Sequence, residues 1–148
     1  MSRRAAREKV LQALVAVDLG GTDAEEALEQ VWRLRGDGEA EGDPSPEDEE
    51  FARRLLFGTL EEGRRVDGVL RTYSTGWDLD RMASVDRNVL RLAVYELLHV
   101  PATPVSVVMN EAVELAKRYS TEESGRFVNG VLARIVVHLE ELRTRVGE

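Results

Sequence analysis

The chain has 148 residues, 43% hydrophobic and 32% charged, with a formal net charge of −8, the balance of a soluble globular domain. It has no cysteine, which excludes disulfides, thiolate metal sites, Fe–S clusters and a cysteine nucleophile. No apolar run approaches the ~18 residues of a membrane span and no signal segment opens the chain, so a cytoplasmic protein with no membrane partner is expected.

Apolar residues recur at helical spacing nearly throughout. Ala6, Val10, Leu14 and Val17 form one stripe, with Leu11 and Ala13 beside it, and Gly20-Gly21 supplies a stop. Thr22 and Glu25 have capping-box spacing and start a second helix on Ala24, Leu28, Val31 and Trp32, fading at Arg35. Residues 36–46 hold no large aliphatic or aromatic side chain. Nothing there offsets the entropy of ordering, so a mobile acidic loop is expected. Ser45 before Pro46 reads as an N-cap and a first-turn proline, opening a helix that buries Phe51, Leu55, Leu56 and Leu60. Gly63 interrupts, and Val66, Val69, Leu70 and Tyr73 carry on, as one kinked helix or two. Trp77 and a short turn over Leu79–Met82 lead to Ser84, a candidate cap for a strong helix on Val85, Val89, Leu92, Ala93 and Leu97. Pro101 and Pro104 bracket a turn. Val105, Val108, Met109, Ala112, Leu115 and Ala116 make the next face. Thr121 or Ser120 caps a last helix through Phe127, Val131, Ile135, Val136, Leu139 and Leu142. No segment alternates with period two for long. The expected fold is all-α, with about six to seven helices.

Catalytic chemistry has little support. His99 and His138 stand alone near helix ends, with no acidic residue at metal-ligand spacing. There is no phosphate loop and no strand-to-helix serine elbow. Gly130 lies inside a strongly periodic helix at a cost of roughly 1 kcal/mol relative to alanine, which predicts close approach of another backbone there. The expectation is no catalytic residue, no metal and no cofactor.

Charge is distributed unevenly. Residues 1–16 sum to +3, residues 23–50 to −10, and residues 51–148 are neutral. Arg3 and Arg7 are four apart and share a helix face, with Arg4 adjacent. Screening confines distant charges to about 8 Å, so this cluster can be locally positive within an acidic protein. Its forked guanidinium donors suit phosphates. The same cluster could equally be a frayed, solubilising terminus. Lys117, Arg118, Tyr119, Arg126 and Phe127 gather bases and rings around a second helix start, where free amides favour an anion and rings can stack on bases. Phe127 also fits the core stripe. Asp86 suits the first turn of its helix, or anchors a protein interface.

Taken together, Leu11-Gln12-Ala13-Leu14, Val85 through Leu97, Asn110 through Lys117 and Phe127 through Leu132 resemble the NusB-type transcription antitermination factors in order and spacing, over nearly the whole chain. The resemblance implies a single RNA-binding domain of two packed three-helix bundles, with halves of about 1–75 and 76–148. It implies binding to single-stranded boxA RNA of ribosomal RNA leader transcripts together with NusE, a small-subunit ribosomal protein, with other Nus factors and RNA polymerase engaged indirectly. The RNA-binding residues it implies are Arg3, Arg4, Arg7, Glu123, Arg126 and Phe127, to which the surface charge adds Lys117. Asp86, Arg87 and Arg91 are the implied NusE-facing set. Ala5 and Ala6 dilute the arginine run of some members, Val15 replaces a tyrosine, and the 36–46 loop is an insertion. The alternative is an accessory RNA-binding domain serving a separate ribosomal RNA methyltransferase.

Overall fold

The computed structural model describes residues 2–33 and 45–146, and every regular element among them is helical. In chain order these are α1 (Arg3–Gly20), α2 (Ala24–Arg33), α3 (Pro46–Glu61), α4 (Gly63–Tyr73), a 3-10 turn (Leu79–Arg81), α5 (Ser84–His99), α6 (Val105–Tyr119), α7 (Glu122–Val137) and α8 (Leu139–Val146). The acidic segment 36–46, apart from Ser45 and Pro46, lies outside the described residues.

Local chemistry sets the helix ends. Ser45 Oγ accepts from the Asp48 amide at 3.1 Å, and Thr121 Oγ1 from the Ser124 amide at 3.0 Å. Each such cap contributes about 1 kcal/mol. Gly21, at φ 63, closes α1 by donating to the Val17 carbonyl. Two expected caps differ. The residue preceding α2 is Asp23, not Thr22, and its carboxylate accepts from the Glu26 amide at 3.3 Å. Ser84 lies inside α5, after an Ala83 cap that makes no side-chain bond.

Two further expectations need correction. Leu60 is 37% exposed, while Thr59 beside it is buried. The last periodic run divides at His138, whose amide turns back to the Ile135 carbonyl at 2.9 Å. Leu139 and Leu142 are buried after the break, so the apolar spacing runs straight across it.

By internal packing the chain divides into two units, Met1–Leu60 and Glu61–Glu148. In the first, α1 packs on α2, and Leu11, Leu14, Leu55 and Leu56 are buried. In the second, α5 packs against α4, α6, α7 and α8. Apart from Arg91, all of α5 from Asn88 to Leu98 is buried, as befits a helix surrounded by others. Leu90, Leu97, Leu132 and Ile135 fill this second core, each contributing roughly 1.5–3 kcal/mol. Within this unit α4 also packs on α7. Among the described residues no helix is long and apolar enough to cross a membrane.

Candidate nucleic-acid interface

Ser2 fixes the start of α1. Its hydroxyl accepts from the Ala5 amide at 3.1 Å, which places Arg3 and Arg4 in the first turn. That turn contains no acid, although a helix N-terminus favours negative side chains. Two positive side chains are thus stacked on a positive helix end, an arrangement that favours an external anion. The Arg3 guanidinium carbon lies 4.0 Å from the Phe51 ring centroid, and that of Arg7 5.2 Å from the same ring. Cation–π attraction of this kind is worth about 0.5–2 kcal/mol.

The three arginines are not equivalent. Arg3 and Arg4 are exposed, whereas Arg7 is 5% exposed and Lys9 4%. Arg7 therefore adds to the local field and to packing, while Arg3 and Arg4 present donors to solvent.

The start of α7 is built differently. Glu122 and Glu123 occupy its first turn and complement the helix dipole, while Thr121 satisfies the Ser124 amide. Two acids and a satisfied amide make this helix end less attractive to an anion than the start of α1. Lys117 lies over Gly125, where an added Cβ would come within 2.8 Å of Lys117 Cγ. Its ammonium is 3.8 Å from Glu122 and 4.0 Å from Glu114, so its charge is partly offset although the side chain is exposed. Gly130 is not the point of close approach, since a Cβ there meets nothing within 4 Å. Gly125 is. Arg126 and Glu123 are exposed. Phe127 is half-buried, and its ring centroid lies 4.9 Å from that of Trp77 at an interplanar angle of 59°. It is thus neither a core residue nor a free one.

On α5 the three expected partner residues all have internal tasks. The Ser124 hydroxyl lies within hydrogen-bond distance of Asp86 Oδ2 at 3.2 Å and of Ser120 Oγ at 2.9 Å, which ties α5 to the α7 cap. Asp86 Oδ1 is buried without a hydrogen-bond partner, leaving acceptor capacity unused. Arg87 Nη1 donates to the carbonyls of Leu79, Asp80 and Met82 at 3.3–3.4 Å, clasping the 3-10 turn. Arg91 grips Asp67 of α4 with two bonds of 2.8 and 3.0 Å. Among the described residues, no cluster of three or more His, Asp or Glu could hold a metal ion.

Sequence reasoning missed two rings, Phe51 beneath the arginines and Trp77 beside Phe127. Phe51 carries no local signal, since it lies 44 residues from Arg7. Trp77 follows a glycine in a turn, a weak sign of a displayed side chain.

A family model described as the NusB family matches residues 4–137. The chain is 50% identical over 143 residues to the transcription antitermination protein NusB of Pelotomaculum thermopropionicum, which covers 97% of this chain and 94% of that one. It is 48% identical over 138 residues to the NusB of Sorangium cellulosum, covering 93% and 94%. Among solved structures, T. maritima NusB superposes with a TM-score of 0.80 at 39% identity, covering 93% and 92%. A chain in the crystal structure of antitermination factors NusB and NusE in complex with dsRNA superposes with a TM-score of 0.77 at 28% identity, covering 90% and 94%.

Proposed function

The chain belongs to the NusB family, and from that premise we propose that it is a cytoplasmic, non-enzymatic transcription antitermination factor. It binds boxA-type RNA of ribosomal RNA leader transcripts jointly with NusE and thereby favours processive transcription. The observation that carries this reading is the likeness, over nine-tenths of the chain, to a factor solved with NusE and RNA. The capped, acid-free first turn bearing Arg3 and Arg4 supports it from within the chain.

The exposure of these residues supports a division of labour among them. Arg3 and Arg4 take phosphates, which position RNA without reading it, while Phe127, Glu123 and Arg126 offer a ring face and polar groups to unstacked bases. Lys117 and Arg7 act mainly through packing and field. Asp86, half-buried in the first turn of α5, is the α5 residue proposed to face NusE. Arg87 and Arg91 hold the turn and α4 that frame it.

The test is titration of labelled boxA-type RNA, single-stranded and duplex, with and without NusE. Tight, boxA-dependent binding of the single strand in the presence of NusE is expected. Indifference to scrambling boxA, or equal preference for the duplex, would overturn the single-strand reading. Retention of a ribosomal RNA methyltransferase in place of NusE would favour the accessory-domain alternative.

A further inference from the structure

Resting on the RNA-binding reading above, we propose that Trp77 is an additional base-stacking residue, an indole held beside Phe127 to receive one unpaired RNA base. Trp77 is 60% exposed, although tryptophan is highly buried on average. Its backbone is nevertheless fixed. The Trp77 amide donates to the Ser74 carbonyl at 3.0 Å, and Gly76 supplies the φ of 86 that this turn requires. Ser74 is buried and donates both its amide and its hydroxyl to the Leu70 carbonyl at the end of α4. On the other side Asp78 caps the 3-10 turn, accepting from the Asp80 amide at 3.0 Å. The indole is thus displayed from a pinned turn and steadied against the Phe127 ring. Ordering it costs little at the moment of binding, which is the benefit of preorganisation.

The occupant follows from the chemistry. An exposed, rigid π-face accepts any base, because every base has one. Asp78 and Asp80 follow Trp77 in the chain and are exposed, and with Asp78 paired to Arg81 at 3.8 Å the turn carries no net positive charge to draw a phosphate, so the ring is left to a base. Continuity with Phe127, already assigned to bases, makes a two-ring platform within the second unit.

The experiment uses the full chain carrying Trp32→Phe, which leaves Trp77 as the sole tryptophan. The Trp32 indole nitrogen is buried without a partner, so phenylalanine there removes an unmet donor. With NusE present, single-stranded boxA-type RNA is expected to quench Trp77 emission. In the otherwise native chain, Trp77→Ala weakens RNA binding roughly 5- to 100-fold with an unchanged salt dependence. Trp77→Phe recovers most of that affinity and Trp77→Leu does not. Absence of quenching, or native affinity in Trp77→Ala while Arg3→Ala/Arg4→Ala still weakens binding, overturns the stacking assignment and leaves the RNA reading standing. Failure of the native chain to bind RNA overturns both. A loss of NusE affinity measured without RNA assigns Trp77 to a protein contact and overturns the proposal. Should Trp77→Ala prove poorly folded by circular dichroism, quenching and the phenylalanine–leucine contrast decide the matter.

Discussion

The starts of α1 and α7 use the same residue types for opposite purposes. At α1 Arg3 and Arg4 face solvent and the ring lies beneath: Arg3 and the buried Arg7 rest on Phe51, which is itself buried. At α7 a ring pair reaches the surface instead: Phe127 packs on an exposed Trp77, while the exposed Lys117 is offset by Glu114 and Glu122 at 4.0 and 3.8 Å. The same division extends through the second unit, where Arg87 and Arg91 are spent on carbonyls and on Asp67. A count of arginines and aromatics would rank the two surfaces alike. What separates them is which group lies on top.

The sharpest way to break this comparison is to remove charge from α1. Arg3→Ala/Arg4→Ala is expected to weaken RNA binding about 100-fold, from two charge-assisted contacts of roughly 1.5 kcal/mol each. The slope of log affinity against log salt should become shallower by about 1.4, or about 0.7 for each phosphate contact to a single strand. Titration across a salt series measures both. Arg7→Ala, by contrast, should lower stability and leave the slope alone, because its head is buried against Phe51. An equal change of slope from Arg7→Ala would show that burial does not divide the cluster.

The second unit should respond in folding rather than in salt dependence. Asp67→Asn removes the bidentate partner of Arg91, whose side chain is 21% exposed against 18% for Asp67. Leaving a half-buried guanidinium underpaired should cost about 2 kcal/mol. Urea unfolding would read this as a lower midpoint at constant m-value. The RNA salt slope should not move.

Stacking gives the next smaller effect. Phe127→Leu keeps most of the apolar volume and loses the ring face. The expected loss is about 1 kcal/mol, or roughly fivefold in RNA affinity, with the native salt slope. A slope that falls with Phe127→Leu would mean that the substitution moves Arg126, and the clean separation of charge from stacking would fail.

These assignments also mark where the sequence stops being legible. Helix starts with a chemically specific cap could be read directly, as at Ser45-Pro46 and Thr121. The break at His138 could not, since Leu139 and Leu142 continue the buried spacing through it. The arginine cluster was visible as charge, but the burial of Arg7 depends on Phe51 arriving from another helix. Gly125 and Gly130 look interchangeable in the sequence, and only the position of Lys117 distinguishes them. Side-chain burial and pairing, which depend on contacts between helices, could not be read from local spacing.

The first unit also has charge that serves folding, located away from α1. Arg53 of α3 reaches Glu25 of α2 at 2.6 Å, with Glu49 3.8 Å away. The hydrogen bond from Arg53 holds the Glu25 carboxyl below its ordinary value of 4.5, against the opposing effect of burial. A carboxyl whose pKa is lower in the folded state stabilises fully above the unfolded value, and that contribution disappears as pH falls through the folded one. Glu25→Gln should therefore be slightly less stable than the native chain at neutral pH and indistinguishable from it in strong acid. Both side chains are about half exposed, so the difference is small and should shrink further in high salt. Thermal midpoints of the two chains across pH measure it. A gap that persisted unchanged into acid would assign Glu25 a role other than pairing with Arg53. A gap that closed as expected, with the RNA salt slope intact, would place the folding charges of this unit on α2 and α3 and its binding charges on α1.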